Sequence, residues 1–356
     1  MLIFNLVSVY VLYFSFYSLL KINGLNFFLD IWVKDISYQL TKINAISNKF
    51  IHRLYSVKTI GIITFDTTKK VAYSEKVSNE CGKRNLNRYI LCDKHKSEFK
   101  EKGLSIINDL LTNEELSKIE TIYDQYMKEG SSEIQGRDFC DMSKPYNTSK
   151  EDYSVINAML PRVYYPELQG NIYEQVAQSI ADQLFPDVEM VLDYDQLLDK
   201  RPNSEDAVFA WHQDMAYWPN PTMTPDTRTV TFSLALDSTS KKNGCIRYVP
   251  GSGKSKELRN HNPMGKDKNE AHAIAATVHE DEIIEYAEVS RGSISIHDEY
   301  VVHGSGGNLS PGPRRTYVVA FRTRDTVDRE RAAGFTHSHN SVVNWDKFNN
   351  WEKKDG

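Results

Sequence analysis

The spacing of apolar residues along this chain changes at Pro186. Before this proline, apolar residues recur at the four-residue spacing of a buried helical stripe: Ile172, Val176, Ile180 and Leu184. After it, short runs rich in β-branched and aromatic residues are separated by Gly, Pro and Ser, which is typical of strands joined by turns. Helices first and strands later predict a mainly β domain with helices packed on it.

Individual elements can also be predicted. Residues 104–110 have the composition of a strand, and Thr112 and Glu115 form a capping box in front of a helix. Apolar and polar residues alternate over 230–237, which predicts a half-buried strand. Further strands are predicted at 246–249, 294–296 and 316–321.

His212 and Asp214 are separated by one residue, between the aromatic residues Trp211 and Trp218. In an extended strand, residues i and i+2 lie on the same face, so both side chains can reach one metal ion. The chain contains ten histidines, and His279-Glu280-Asp281 offers the same spacing in a charged stretch. The aromatic surroundings favour the first pair as the metal-binding pair.

A second motif begins at His303. The segment 304–307 contains three glycines, which permit a backbone path close to a bound ligand where a Cβ would obstruct it. Beyond a Pro-Gly-Pro turn, Arg314 and Arg315 open a β-rich run. Either guanidinium could bind a carboxylate through two hydrogen bonds, and either could be a surface cation.

Two imidazoles and one carboxylate are the ligand set of mononuclear ferrous oxygenases, which keep further coordination positions open. An Arg shortly after the second His supplies a partner for a dicarboxylate cosubstrate. These features predict an iron(II) and 2-oxoglutarate dioxygenase. A zinc-dependent hydrolase could use the same His and Asp residues, but it would leave the Arg and the glycines unexplained. With these motifs on strands, we expect a double-stranded β-helix, a cupin-like jelly roll with helices on one face.

From about Phe99 to Phe335 the sequence resembles the phytanoyl-CoA dioxygenase family. The motifs that carry the resemblance occur in the family's order: Phe99-x3-Gly103, Lys200-Arg-Pro-Asn203, Trp211-His-Gln-Asp214, Asn243-Gly-Cys-Ile-Arg-Tyr-Val-Pro-Gly251 and His303-Gly-Ser-Gly-x-Asn308. The resemblance implies that His212, Asp214 and His303 bind iron and that Arg314 binds the distal carboxylate of 2-oxoglutarate. Further positions matched to the cosubstrate pocket are Ser305, Trp218 and Gln196.

The family's chemistry implies iron(II) as cofactor, with 2-oxoglutarate and dioxygen as cosubstrates. The reaction would oxidise an unactivated C–H bond by hydroxylation, desaturation or oxidative ring closure, with release of succinate and carbon dioxide. The expected substrate is an acyl thioester, an amino-acid derivative or a specialised metabolite. The alternative is an inert jelly-roll protein that binds a metal or ligand without turnover. A complete set of three metal ligands and an Arg favours the enzyme.

Other residues invite a functional interpretation. His297 could orient the metal site or could be a packed strand residue. His337 and His339 have the spacing of a metal-binding pair, but an exposed loop or part of a lid is favoured. Cys245 has no His or Asp beside it in sequence and is expected to be a small buried strand residue. The charged segment 254–288 is expected to supply a lid over the substrate.

Residues 1–20 are almost wholly apolar and uncharged. They fit a membrane anchor, a cleaved signal peptide or a misassigned start. The protein is expected to be membrane-anchored or secretory if this segment is genuine, and cytoplasmic otherwise. On a secretory route, Cys81 and Cys92 could form a disulfide, and Asn147-Thr-Ser149 could be glycosylated. The predicted organisation is an anchor or signal at 1–22, an accessory segment at 23–95, a dioxygenase domain at 96–345 and a tail at 346–356.

The charge of the chain argues against nucleic acid as a partner. The net charge is -5, with 43 Lys and Arg against 48 Asp and Glu. This balance gives no basic footprint for nucleic acid, so a nucleic-acid partner is not expected. The expected partner is a small-molecule substrate.

Overall fold

The computed structural model describes residues 81–129, 135–264 and 273–340. All of them belong to one compact unit. The predicted segments 1–22 and 346–356, and most of 23–95, lie outside the described residues, so the proposed division of the chain stays a prediction. Within the described ranges, no helix is both long enough and apolar enough to span a bilayer.

Five α-helices are described: α1 (Asp93–Lys102), α2 (Asn113–Glu129), α3 (Pro161–Tyr164), α4 (Ile172–Leu184) and α5 (Arg324–Ala332). The predicted helix over the apolar stripe is confirmed as α4, with Val176 and Ile180 fully buried. The predicted capping box is also confirmed. The Glu115 backbone N–H donates to Thr112 Oγ1 (3.3 Å), and the Thr112 N–H donates to Glu115 Oε2 (2.9 Å).

The strands carry the fold. They are β1 (Arg84–Asn85), β2 (Arg88–Tyr89), β3 (Leu104–Ile107), β4 (Phe139–Cys140), β5 (Val155–Met159), β6 (Met190–Lys200), β7 (Phe209–His212), β8 (Thr229–Ala235), β9 (Ile246–Tyr248), β10 (His261–Pro263), β11 (Ile274–Ala276), β12 (Glu285–Tyr286), β13 (Ile294–His297), β14 (His303–Ser305) and β15 (Arg314–Thr323). The five strands predicted from the sequence correspond to β3, β8, β9, β13 and β15, with ends that differ by a few residues.

Most strands belong to two antiparallel sheets. The larger has the order β3-β13-β8-β15-β6-β5-β4, and the smaller has the order β12-β9-β14-β7. Residues from both sheets line one cavity, so the sheets face each other across it. Helices α1, α2 and α4 pack on the opposite face of the larger sheet. This architecture is the predicted double-stranded β-helix.

The main hydrophobic core lies between the helices and the outer face of the larger sheet. Ile119 of α2 and Val176 of α4 belong to the same buried cluster as apolar residues of β8, β13 and β15. The rings of Phe232 and Phe321 meet edge to face, with their centroids 5.6 Å apart. This core fixes the larger sheet as a rigid wall behind the cavity.

The burial of β8 differs from the prediction. Phe232 and Leu234 belong to the helix-side core as the alternation predicts, but all seven residues of the strand are buried. Thr231 and Ser233 line the cavity between the sheets. The prediction of a half-buried strand was therefore wrong, because the second sheet covers the polar face.

A disulfide closes the hairpin formed by β1 and β2. It joins Cys81 to Cys92, the predicted pair, whose Cα atoms lie 4.9 Å apart. The hairpin is held to α4, because the Tyr89 N–H donates to Ser179 Oγ (3.2 Å) and Gln183 Nε2 donates to the Tyr89 carbonyl (2.7 Å). Asn147 lies exposed in a turn.

Candidate metal and cosubstrate site

The two motif histidines are neighbours in the smaller sheet. His212 is the last residue of β7, His303 is the first residue of β14, and the two are register partners. The backbone stays extended through Gln213, and a 3-10 helix begins at Asp214. Asp214 Oδ1 lies 3.6 Å from His212 Nε2 and 3.4 Å from His303 Nε2. One potential ligand atom from each of the three residues lies within 4.8 Å of the others.

Backbone carbonyls orient both imidazoles. His212 Nδ1 lies 2.8 Å from the carbonyl oxygen of Ala210, and His303 Nδ1 lies 3.0 Å from that of Val301. A carbonyl can only accept, so each Nδ1 carries the proton and donates it. Both Nε2 atoms are then left with a lone pair directed toward Asp214, which is the arrangement that metal ligation needs.

The electrostatics of this group also suit a cation. Burial by itself would raise the pKa of the Asp214 carboxyl, but the imidazoles around it, with His303 foremost, hold this pKa well below its usual range. Burial and the neighbouring His303 lower the pKa of the His212 imidazole. A charged carboxylate beside a neutral imidazole is the protonation state that binds a metal. Two imidazoles and one carboxylate therefore fit iron(II).

Arg314 and Arg315 have opposite surroundings. The Arg314 side chain lines the cavity, and only 2% of the residue is exposed. Its Nη1 donates to Thr316 Oγ1 (2.5 Å), its Nε has no partner, and no carboxylate of the described residues pairs with it. Arg315 points to the other side of the sheet, where its guanidinium binds Asp237 (2.8 Å) and Glu120 (2.8 Å).

The Arg314 guanidinium fits a dicarboxylate cosubstrate. Burial lowers its pKa to about 10, so the group keeps its charge at neutral pH. A buried cation without a counter-ion is unfavourable, and a bound carboxylate would supply both the charge and the hydrogen-bond acceptors. Of the two arginines between which the sequence could not choose, only Arg314 is placed to do this.

The cavity has a volume of about 140 Å³ and contains all the residues predicted for the site. Ser305, Trp218 and Gln196 line it together with Arg314 and the three potential metal ligands. Gln196 Nε2 donates to Asn157 Oδ1 at the back of the cavity. The indole of Trp218 is held by the guanidinium of Arg322, which lies 4.2 Å from the ring centroid.

Comparison with known proteins gives the family. The model of the family described as phytanoyl-CoA dioxygenase (PhyH) matches residues 99–316. The chain belongs to the phytanoyl-CoA dioxygenase family. The probable alpha-ketoglutarate-dependent hypophosphite dioxygenase of Stutzerimonas stutzeri is 27% identical over 237 residues, which cover 64% of this chain and 77% of that protein. The ectoine dioxygenase of Streptomyces avermitilis is 29% identical over 128 residues, or 32% of this chain and 42% of that protein.

A solved structure supports the fold. EvdO2 from Micromonospora carbonacea var. aurantiaca, complexed with 2-oxoglutarate, superimposes with a TM-score of 0.51 at 21% identity, over 65% of this chain and 91% of EvdO2. As a phytanoyl-CoA dioxygenase family member, this protein is an iron(II)- and 2-oxoglutarate-dependent dioxygenase that acts on small molecules. Its cofactor is iron(II), and its cosubstrates are 2-oxoglutarate and dioxygen.

The competing motif, His279-Glu280-Asp281, lies outside the metal site of this dioxygenase. His279 is exposed, and it does not belong to either of the potential metal-binding groups among the described residues. Cys245 is buried immediately before β9, which agrees with its predicted structural role. His297 lies behind the site, with Nε2 3.2 Å from Asp214 Oδ2.

His337 and His339 are not in an exposed loop, so that part of the expectation was wrong, whereas a contribution to a lid stays a prediction. Both are buried and line the cavity of the dioxygenase. His337 Nε2 donates to Asp193 Oδ2 (2.8 Å), and His339 N–H donates to Asp138 Oδ1 (2.6 Å). Their burial depends on contacts with residues far away in the sequence, which their own spacing does not reveal.

A second group of potential metal ligands consists of Asp193, Glu330 and His337. The Arg322 guanidinium lies inside this group, with Nη1 3.0 Å from Asp193 Oδ2 and 2.6 Å from Glu330 Oε2. Arg322 and Arg331, which also pairs with Asp193, already neutralise the two carboxylates. We therefore interpret the group as an ion-pair network that fixes the wall of the cavity.

Two of the three glycines after His303 lie against protein backbone. A Cβ on Gly304 would lie 2.8 Å from the Phe209 carbonyl oxygen, and one on Gly307 would collide with the Glu205 carbonyl. A Cβ on Gly306 would meet nothing within 4 Å. The backbone was expected to run close to a bound ligand at this motif. At Gly304 and Gly307 it instead runs close to the backbone of the protein itself.

No sequence motif identifies some of the residues that line the cavity. Met142, Met159 and Tyr194 line it, yet none belongs to a motif. Tyr217 also lines it, and its hydroxyl accepts a hydrogen bond from the Ile274 N–H of β11 (3.2 Å). This contact brings part of the predicted lid segment to the cavity; the covering role of the segment stays a prediction.

Proposed function

We propose that this dioxygenase oxidises an unactivated C–H bond of a small molecule, by hydroxylation or by desaturation or oxidative ring closure. In this proposal His212, Asp214 and His303 hold the iron, and Arg314 holds the distal carboxylate of 2-oxoglutarate. The observation that carries it is the meeting of three ligand atoms within 4.8 Å of one another, in the same cavity as a buried guanidinium that pairs with no carboxylate of the described part of the chain.

The protein ligands leave room for the cosubstrates. His212, Asp214 and His303 would hold the iron(II) and leave coordination positions for 2-oxoglutarate and dioxygen. When bound, the iron would let dioxygen oxidise both a C–H bond of the substrate and 2-oxoglutarate, which would yield succinate and carbon dioxide. His212 and His303 keep their Nε2 lone pairs toward the ion because backbone carbonyls hold each Nδ1–H.

Arg314 orients the cosubstrate. Its guanidinium is held in place because β15 pairs with β6 from Arg314 onward and with β8 from Thr316 onward, and because Nη1 donates to Thr316 Oγ1. A planar group fixed in this way binds a carboxylate in one orientation and so sets which end of the 2-oxo acid faces the metal ligands. Ser305, Trp218 and Gln196 are proposed to complete this end of the cavity.

The remaining wall is proposed to receive the substrate. Met142, Met159 and Tyr217 provide apolar and aromatic surface there, and His337 and His339 add polar groups. A mixed surface of this kind suits an acyl thioester, an amino-acid derivative or a specialised metabolite, with the apolar part in contact and a few polar groups fixing orientation.

An anaerobic titration tests the proposal. Adding iron(II) and 2-oxoglutarate to the protein is expected to give a visible metal-to-ligand charge-transfer band, and adding air with a suitable substrate from a panel is expected to release succinate. His212→Ala and His303→Ala should lose both signals, because each removes one of three ligands. His279→Ala is the matched control and should keep them.

The same experiment separates the alternatives. An inert jelly-roll protein would release no succinate with any substrate. A loss at His279→Ala equal to that at His303→Ala would contradict the proposed ligand set.

A further inference from the structure

The two oxygens of the Asp214 carboxylate have different neighbours. Oδ1 faces the Nε2 atoms of His212 and His303. Oδ2 faces the other way, where Thr231 Oγ1 donates to it at 3.0 Å and His297 Nε2 lies 3.2 Å away. A carboxylate oxygen can only accept here, so His297 presents an Nε2–H to it. One oxygen is thus free for a metal, and the other is held by the protein.

The His297 ring is itself supported from behind. Its Nδ1 lies 3.4 Å from the Tyr248 hydroxyl, which lies 2.9 Å from Ser295 Oγ. The Tyr248 hydroxyl donates its only proton to Ser295 Oγ, so it does not donate to Nδ1. The acceptor Asp214 Oδ2 sets the tautomer, because it requires the imidazole proton on Nε2.

The chain of contacts connects the two sheets. His297 and Ser295 lie on β13 of the larger sheet, whereas Tyr248 lies on β9 of the smaller sheet and is the register partner of His303. All three are at most 3% exposed. Polar groups buried this deeply are unfavourable unless they are hydrogen-bonded, and the partner of His297 Nε2 is the carboxylate of a proposed metal ligand.

We propose that His297 is a positioning residue that holds Asp214 Oδ2 and thereby keeps the carboxylate binding the iron through Oδ1 alone. This inference rests on the proposed function of the site. If Oδ2 were released, the carboxylate could chelate the ion with both oxygens and occupy a position that 2-oxoglutarate or dioxygen requires. The ring of Tyr248 packs beside that of His297, with the two centroids 5.5 Å apart, and supports this role by limiting movement of the imidazole.

Iron affinity of the substituted proteins tests the proposal without any substrate. The measurement is an anaerobic iron(II) titration at saturating 2-oxoglutarate, with the charge-transfer band as the signal and a chelator as competitor. His297→Phe keeps the ring and removes the donor, and we expect a 10- to 100-fold weaker affinity for iron(II), the usual effect of losing such a partner. His297→Gln places an amide N–H near the position of Nε2 and should recover most of the affinity.

His279→Phe is the matched control, because it makes the same change at an exposed site, and should bind iron like the wild type. Wild-type affinity in folded His297→Phe would overturn the proposal, and so would an equal loss in His297→Phe and His297→Gln. If His297→Phe does not unfold cooperatively, His297→Asn takes its place, because its side chain is one methylene shorter than that of Gln: weaker iron binding than in His297→Gln supports the proposal, and equal binding overturns it. Failure of the wild-type protein to bind iron and 2-oxoglutarate would instead refute the proposed function.

Discussion

At the scale of single residues, two adjacent arginines that look equivalent in sequence have different environments because successive side chains of a strand lie on opposite faces. Arg314 and Arg315 are adjacent on β15, so their side chains lie on opposite faces. Arg314 enters the cavity, and Arg315 joins Asp237 and Glu120 beside α2. The choice between them could not be made from spacing, because it depends on which face of β15 meets the second sheet.

The first prediction concerns this pair. Arg314→Gln removes the charged partner of 2-oxoglutarate, and a hydrogen-bonded charged group contributes about 1.5–3 kcal/mol. We therefore expect the 2-oxoglutarate concentration for half-maximal charge-transfer signal to rise roughly 10- to 100-fold. Arg315→Gln is the control; it should lower the unfolding temperature by breaking surface ion pairs while leaving the 2-oxoglutarate requirement unchanged. The opposite result would mean that Arg315 binds the cosubstrate.

At the scale of elements, local sequence patterns predicted the secondary structure of each segment but not the segments that pack against it. The stripe in α4 and the Thr112–Glu115 capping box depend on residues three or four apart, and both are present. The alternation of β8 was also correct, yet its polar face is buried. Burial of that face depends on the smaller sheet, whose strands come from distant parts of the chain, so it has no local signal.

Gly304 shows how the pairing of two elements constrains one residue. β14 pairs with β7 there, and an added Cβ would lie 2.8 Å from the Phe209 carbonyl oxygen of β7. The obstacle is backbone, so Gly304→Ala should push the two strands apart and lower the free energy of unfolding by about 1–3 kcal/mol. It should also weaken iron(II) binding, since His212 and His303 lie on these strands.

Gly306→Ala provides the comparison for Gly304→Ala, because an added Cβ at residue 306 meets nothing within 4 Å. Thermal unfolding and iron titration of both variants are the measurements. Equal stability of the two would show that the contact with Phe209 is not restrictive.

At the scale of the whole molecule, the metal ligands could be predicted but the wall opposite them could not. His212, Asp214 and His303 belong to sequence motifs whose chemistry is specific. The C-terminal wall is placed by contacts across the molecule, such as Ser338 Oγ donating to Asp138 Oδ2 (2.8 Å). No periodicity or motif encodes such a contact, because it arises only when both segments have packed on the same sheet.

One buried acid links the layers of the molecule and gives its stability a dependence on pH. Asp195 of β6 accepts a hydrogen bond from the Arg162 N–H (3.2 Å), and the Tyr317 hydroxyl lies 3.3 Å from both Asp195 and Glu174 of α4. Burial raises the pKa of the Asp195 carboxyl to about 8, against 3.8 for an ordinary Asp, and the nearby Arg162 only partly opposes this. The folded protein therefore keeps a proton that the unfolded chain releases.

The sign of the effect follows from this difference. Between about pH 4 and pH 8 the folded state binds more protons, so Asp195 makes stability fall as pH rises, by up to about 1.4 kcal/mol per pH unit, and the fall ends above about pH 8. Asp195→Asn keeps the shape and removes the titration. We expect its unfolding temperature relative to wild type to increase steadily across this range, whereas the exposed Asp281→Asn should follow the wild type at every pH. A constant offset between Asp195→Asn and wild type would show that Asp195 is already ionised in the folded protein.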